Sequence, residues 1–127
     1  MKKILVIDDD EIFVKLLADT LSKEKYAVIS ASDGEKGLEM MEKEKPDLIT
    51  LDMVMPKMGG FKFLEALKKK GGVQNIPILI SSQLSKMKDI SEGVTLGMGV
   101  GVKGYIVKAS ENMDMIIKTI ERTLGEK

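Results

Sequence analysis

Apolar residues along the chain follow two different spacings, one typical of buried strands and one typical of helices. Five short apolar runs predict strands that are buried on both faces, and they lie at 4–7, 26–30, 47–51, 76–81 and 105–107. Between these runs, apolar residues recur every three or four positions, which predicts helices with one buried side. Strands alternating with helices favour a parallel sheet, because parallel neighbours need a crossover connection. The pattern therefore predicts an α/β fold with a doubly wound sheet of five strands and helices on both faces.

Short polar residues and glycines mark the ends of the predicted helices. Candidate caps, which accept a hydrogen bond from the first turn, are Asp10, Ser32 or Asp33, and Ser110. The third predicted helix follows a loop with Pro56, Gly59 and Gly60 and ends at Gly71, and the fourth spans 87–96. The predicted core sides of the first and last helices are Phe13, Leu16, Leu17, Thr20 and Leu21, and Met113, Ile116, Ile117, Ile120 and Leu124.

Polar side chains that can bind ligands or react follow four of the predicted strands. They are Asp8, Asp9 and Asp10 after the first, Asp52 after the third, Ser81 and Ser82 after the fourth, and Lys108 after the fifth. Ligands of parallel sheets bind at the carboxyl ends of the strands, so these side chains are expected to converge. Clustered carboxylates repel one another, and a hard cation such as Mg²⁺ relieves that repulsion. A metal and a lysine together offset the charge of a phosphoryl group, for which a carboxylate can be the nucleophile. The strand ends therefore predict a phosphoryl-binding site.

Composition excludes several other kinds of chemistry. The 127 residues include no cysteine and no histidine, which excludes disulfides, thiolate metal sites and imidazole bases. The formal net charge is zero, so binding of nucleic acid through a basic field is not expected. No apolar run approaches the ~20 residues of a membrane span, and no signal peptide opens the chain. We expect one domain over residues 1–127, cytoplasmic and without membrane insertion.

The motifs at the strand ends resemble the receiver domain of two-component response regulators. They are Asp8-Asp9, Asp52 followed by Met55 to Gly60, Ser82 after the strand entered through Pro77, and Tyr105 to Lys108. The resemblance covers the chain from Lys3 to about Leu124. It implies a flavodoxin-like (βα)5 fold with strand order 2-1-3-4-5. It also implies a stand-alone protein of the chemotaxis or phosphorelay kind, which acts in signal transduction by docking partners.

The resemblance assigns an acceptor and a metal site to the acidic residues. Asp52 is the implied phosphoacceptor. Asp9 is expected to bind Mg²⁺ directly, and Asp8 through water or more weakly. The backbone carbonyl of Val54 is implied as a further ligand. Taken without the family, the acids of the first loop are open to a second interpretation, as charges that offset a helix dipole.

The resemblance also assigns roles to three other side chains. Ser82 is expected to contact the phosphoryl oxygens, although the adjacent Ser81 competes for that role or satisfies backbone groups instead. Lys108 is expected to pair with Asp52 and then with the phosphoryl group, the alternative being a solvated surface lysine. Tyr105 is the implied switch residue, the alternative being plain core packing.

Implied partners are a histidine kinase or phosphotransfer protein and a downstream protein that binds the face of the fourth helix, fifth strand and fifth helix. Activity is expected to be limited to Mg²⁺-dependent self-catalysed phosphorylation and autodephosphorylation. The main alternative is a receiver-like interaction module that is never phosphorylated. An aspartyl phosphohydrolase would need a second carboxylate at Val54, and a flavin carrier would need a first loop that does not repel phosphate.

Two segments depart from the family pattern. Ala109 follows Lys108 where the family most often has a cis proline, so either the site holds that strain or Lys108 is placed differently. The glycine-rich stretch 98–104 is longer than usual and predicts a mobile loop or an extended helix end. Its G-x-G-x-x-G spacing is not expected to bind a nucleotide, because it leads into a strand rather than into a helix.

Overall fold

The computed structural model describes residues 1–53, 55, 57–69, 76–82, 101–108 and 112–125. Within these ranges the elements are β1 (Lys3–Ile7), α1 (Glu11–Lys23), β2 (Ala27–Ala31), α2 (Gly34–Glu44), β3 (Leu48–Asp52), α3 (Gly60–Lys69), β4 (Ile78–Ser82), β5 (Val102–Val107) and α4 (Met113–Thr123). The fourth helix predicted at 87–96 lies outside the described residues. None of the helices described is long and apolar enough to cross a membrane.

The five strands form one parallel sheet in the order β2-β1-β3-β4-β5, which confirms the predicted fold class and strand order. The chain leaves β1 towards β2 on one side and later returns to β3 on the other. Such a reversal opens a crevice at the carboxyl ends of the central strands, where ligands of these folds bind. Asp52 is the last residue of β3 and thus lies at this crevice.

Among the described helices, α2 and α3 pack on one face of the sheet, and α1 and α4 pack on the other. Alternate strand residues enter an α2/α3 layer, which includes Leu5, Ile7, Ile49, Leu51, Ile78, Ile80, Phe63 and Leu64. The others enter an α1/α4 layer, which includes Ile4, Val6, Leu48, Leu79, Ile106, Leu17, Leu21, Ile116, Ile117 and Ile120. Burial on both faces explains why the strand sequences are continuous apolar runs rather than alternating ones.

Side-chain caps begin three of the described helices. Asp10 accepts a hydrogen bond from the backbone N–H of Phe13 at 3.1 Å and begins α1, as predicted. Of the two candidates for α2, Asp33 is the cap. The prediction of Ser110 as the last cap is wrong, because Asn112 begins α4 and accepts from the N–H of Met115 at 2.9 Å. An asparagine and a serine cap by the same side-chain oxygen contact, so the sequence alone does not separate them.

The predicted core side of α1 is wrong at one position. Leu17 and Leu21 are fully buried, but Leu16 is 53% exposed and lies towards solvent with Ile12. Successive helix residues are about 100° apart, which turns Leu16 away from the stripe that contains Leu17. The predicted core side of α4 is confirmed, with Ile116, Ile117 and Ile120 buried and the two flanking residues partly buried against them, Met113 and Leu124.

Strand β5 begins three residues earlier than predicted, within the glycine-rich stretch. The register with β4 shifts by one residue between Ile78 and Leu79, which leaves Lys103 as an extra, exposed residue of β5. In a regular strand Val102 and Ile106 would share a face, but here Val102 packs in the α2/α3 layer and Ile106 in the α1/α4 layer. The bulge therefore turns the carboxyl end of β5 towards α1. Residues 102–104 of the glycine-rich stretch thus belong to a strand and not to the predicted mobile loop or extended helix end.

We expect Gly60→Ala to destabilise the protein by about 1–3 kcal/mol, the usual cost of an overpacked site. A Cβ at Gly60 would lie 2.7 Å from the carbonyl oxygen of Asp52 and 2.8 Å from Cα of Met53. Both are backbone atoms that carry the end of β3, so they cannot move without displacing Asp52. Urea unfolding measures the change, with Gly104→Ala as control, since a Cβ there meets only Leu79 Cδ2 at 3.4 Å. Equal stability of the two variants would contradict the prediction.

Candidate functional site

Strand periodicity places three polar side chains on one face of the sheet. Residues Asp8 and Asp52 continue the alternation of β1 and β3 that buries Val6 and Leu48 in the α1/α4 layer. Ser81 follows Leu79 by two positions in β4 and is the cross-strand partner of Asp52. Successive strand side chains point to opposite faces, so all three lie on the α1/α4 face at the carboxyl end of the sheet.

Three carboxylates meet at this point, as the sequence predicts. Oxygens of Asp8, Asp9 and Asp52 all lie within 4.8 Å of one another. The Asp8 and Asp52 residues are buried, at 3% and 6% exposure, whereas Asp9 is exposed. Oxygen ligands from two or three carboxylates, with one side open to water, are what a hard divalent cation requires. The residues present therefore fit Mg²⁺.

The acidic triplet after β1 divides into three different roles. Asp8 Oδ1 accepts a hydrogen bond from the backbone N–H of Asp10 at 2.9 Å, which holds the buried carboxylate in place. Asp10 itself caps α1 through its side chain. Asp9 points its carboxylate into the cluster from the exposed side. The alternative in which the whole triplet only offsets the helix dipole applies to Asp10 alone.

Lys108 reaches the cluster from the end of β5. Its Nζ lies 2.5 Å from Asp8 Oδ2 and 3.8 Å from Asp52 Oδ2, and its side chain is only 5% exposed. The ammonium also lies 4.5 Å from the centroid of the Phe13 ring, a cation–π contact. The predicted pairing of Lys108 with Asp52 is thus present, and the alternative of a solvated lysine is wrong. Phe13 was predicted only as a core residue, and nothing in the sequence signals its contact with the ammonium.

The structure places only some of the remaining predicted site residues. Ser82 is the last residue of β4 and pairs with Val107, but its side chain lies outside what the structure describes. Tyr105 lies in β5 and is 45% exposed, so plain core packing does not describe it, and its switch role stays a prediction. Val54 and the peptide bond to Ala109 lie outside the described residues. Lys108 nevertheless reaches the acids, so it is not displaced from the expected position.

Among the residues that the structure describes, two buried hydroxyl groups on the α1/α4 face have no hydrogen-bond partner, those of Thr50 and Ser81. The expectation that Ser81 satisfies backbone groups is therefore wrong. Ser81 was predicted only as an alternative to Ser82, and Thr50 was not predicted as part of the site. The sequence did contain a signal for Ser81. Side chains alternate between the two faces along a strand, and this alternation puts Ser81, not Ser82, on the same face as Asp52.

Comparison with known sequences places this site in a family. The family model described as the response regulator receiver domain matches residues 4–121. A probable transcriptional regulator, ycf27 of Porphyridium aerugineum, is 40% identical over 127 residues, covering 98% of this chain and 50% of that protein. The alkaline phosphatase synthesis transcriptional regulatory protein PhoP of Bacillus subtilis is 41% identical over 107 residues, covering 84% of this chain and 42% of its own length. The chain thus spans about half the length of the curated relatives it matches.

Solved structures agree with this result. The chemotaxis protein CheY4 of Vibrio cholerae is 31% identical, with a TM-score of 0.81 over 97% of this chain and 98% of that chain. The N-terminal receiver domain of RstA from Klebsiella pneumoniae, in a BeF3-activated form, has a TM-score of 0.85 at 24% identity over 97% of this chain and 98% of its own. At that identity the second comparison shows the fold alone.

Proposed function

This chain belongs to the response regulator receiver family, and from that premise we propose that it is a phosphorylation-driven switch of two-component signalling. Asp52 accepts a phosphoryl group from a histidine kinase, a phosphotransfer protein or a small phosphodonor, and the change alters affinity for a protein partner. One observation carries the proposal: the Asp52 carboxylate ends a buried strand, gathered with two other acids and paired with a buried lysine.

Phosphoryl transfer requires an attacking oxygen on Asp52 and a positive group that offsets the negative charge of the incoming phosphoryl group. An Asp52 carboxylate oxygen forms a bond to phosphorus while the bond from phosphorus to the donor nitrogen or oxygen breaks, and the electron pair leaves with the donor. Lys108 is already 3.8 Å from Asp52 Oδ2, so a cation stands beside the developing charge. Asp8 and Phe13 hold the ammonium there before the reaction.

Magnesium completes the charge balance in this proposal. Asp8, Asp9 and Asp52 would hold the ion, with the backbone carbonyl of Val54 as the further ligand that the family implies. When bound, it offsets the negative charge of the phosphoryl oxygens. Because Asp9 is exposed, an ion can enter from solvent without opening the core.

The output is proposed to pass through β5 and the helices beside it. Lys108 and Tyr105 are three residues apart at the end of one strand, so displacement of the Lys108 ammonium is transmitted along a short backbone segment. Tyr105 and Met115 of α4 are each about half exposed, which makes them available to a partner. Such a switch needs contacts that differ between the two states, usually worth about 1–3 kcal/mol. The predicted fourth helix, which was expected to contribute to this face, lies outside the described residues.

The alternative function is that of an interaction module that is never phosphorylated, and the test must distinguish it from a phosphorylated switch. The curated relatives are named as transcriptional regulators, and that output belongs to proteins about twice as long as the region matched. A stand-alone receiver therefore stays a prediction, as do its cytoplasmic location and the absence of nucleic-acid binding by this chain.

Incubation with acetyl phosphate tests the proposal directly. We expect the intact mass to rise by one phosphoryl group when Mg²⁺ is present, and not to change when a chelator removes the cation, since three clustered carboxylates would otherwise repel the donor. Neutral hydroxylamine should remove the added mass, because it cleaves acyl phosphates and leaves phosphoserine intact. A chain that gains no mass at saturating donor and Mg²⁺ would be a binding module instead.

A further inference from the structure

The hydroxyl of Ser81 is fully buried beside the proposed phosphoacceptor, and it forms no hydrogen bond within the part of the chain that the structure describes. Ser81 is the direct cross-strand partner of Asp52, and both side chains lie on the α1/α4 face. Burying a hydroxyl without a partner destabilises the protein, because the group loses its hydrogen bonds to water and gains none in return. A serine here is thus a local cost to the unphosphorylated state, unlike an alanine of nearly the same size.

Thr50 provides an internal comparison. Its hydroxyl is also buried and unpartnered, and it lies on the same face. Its cross-strand partners, however, are Val6 and Leu79, both members of the apolar α1/α4 layer. The Thr50 hydroxyl therefore has apolar neighbours across both adjacent strands, whereas Ser81 has a carboxylate across one of them.

The strand order places Ser81 on the path of the Lys108 ammonium. Asp8, directly after β1, and Ser81 on β4 flank Asp52, which ends the strand between them. Lys108 follows β5, on the far side of β4, and its ammonium now sits closer to Asp8 than to Asp52. A phosphoryl group on Asp52 adds negative charge there and draws the ammonium back from Asp8. That retreat moves it towards β4, where the unpartnered hydroxyl lies.

We propose that Ser81 is a positioning residue that holds the Lys108 ammonium in the phosphorylated state. Its hydroxyl oxygen accepts a hydrogen bond from the Lys108 ammonium, and the same hydroxyl can donate a hydrogen bond to an oxygen of phosphorylated Asp52. The contact is absent before transfer, so its free energy favours the phosphorylated state and the transition state that resembles it. The proposal rests on the proposed function and differs from the phosphoryl contact predicted for Ser82.

Ser81→Ala and Thr50→Val separate this role from a structural one, because each removes one unpartnered buried hydroxyl. We expect Ser81→Ala to be phosphorylated by acetyl phosphate about tenfold more slowly than wild type, the loss of one hydrogen bond to a charged group. Thr50→Val should keep the wild-type rate. Ser81→Thr, which retains the hydroxyl, should be faster than Ser81→Ala, and Ser81→Cys, which keeps the volume with a weak acceptor, should be as slow.

A second readout does not depend on turnover. Mg²⁺ with beryllium fluoride, a phosphoryl analogue, should raise the melting temperature of wild type and Thr50→Val equally, and that of Ser81→Ala by less. An unchanged rate and an unchanged melting shift in Ser81→Ala would overturn the inference while leaving the proposed function intact. A wild-type protein with neither phosphoryl uptake nor a melting shift would overturn both.

Discussion

Asp52→Asn should abolish uptake of a phosphoryl group from acetyl phosphate without unfolding the protein. An amide is a far weaker nucleophile than a carboxylate, and it supplies no charge for a cation. The substitution keeps the side-chain volume at a position that is only 6% exposed. Lys108 retains its 2.5 Å contact with Asp8, and one of three mutually repelling carboxylates is removed. Intact mass in Mg²⁺ measures uptake, and urea unfolding in a chelator should give stability equal to wild type or slightly higher.

Asp47→Asn is the matched control for this experiment. Asp47 immediately precedes β3 at its amino end, is exposed, and accepts a hydrogen bond from the backbone N–H of Lys3 at 2.7 Å. Its distance from the carboxyl edge of the sheet means that uptake should remain at the wild-type level. Uptake by Asp52→Asn that equals that of Asp47→Asn would place the acceptor on another residue.

Lys108→Met should destabilise the cation-free protein by about 3–5 kcal/mol, the usual cost of leaving a buried charge without its partner. Methionine matches the length of the lysine stem and can still pack on Phe13, so little of this loss comes from a cavity. The loss arises because Asp8 and Asp52 are buried and would face each other without the ammonium. Urea unfolding in a chelator measures the effect. Added Mg²⁺ should restore most of the stability, since it offsets the same carboxylates.

Lys103→Met provides the control on the same strand. Lys103 is the exposed residue of the β5 bulge, so its replacement should change the free energy of unfolding by less than about 0.5 kcal/mol. If Lys108→Met proved as stable as Lys103→Met without cation, the ion pair with Asp8 would contribute nothing to the fold. Mg²⁺ that stabilised both variants equally would also contradict the expectation that the cation offsets the carboxylates left without the Lys108 ammonium.

Element type and order could be predicted because they depend on local sequence. The three apolar residues between Leu48 and Leu51 enter both layers, as is typical of a covered parallel strand, and Asp52 ends the run. The spacing of apolar residues one helical turn apart correctly predicted the buried side of α4. Errors occurred where neighbouring positions are chemically alike, as with Leu16 beside Leu17 on α1.

Contacts between side chains of different strands could be predicted only in part. Acids at strand ends were expected to converge, and Asp8, Asp9 and Asp52 do so. The contact of Lys108 with Phe13 was not predicted, because it depends on which face the carboxyl end of β5 presents. Sequence spacing does not contain that information when a strand includes a bulge.

By itself, the sequence determined which elements form, where acids, hydroxyls and a lysine follow the strands, and that a phosphoryl site with a hard cation suits them. These are properties of periodicity and of residue chemistry, and both are local. Only the tertiary structure decided that Lys108 binds Asp8 more closely than Asp52, and that its ammonium lies over the Phe13 ring. The physical reason is the extra residue Lys103 in β5, which reverses the alternation and turns the end of that strand towards α1.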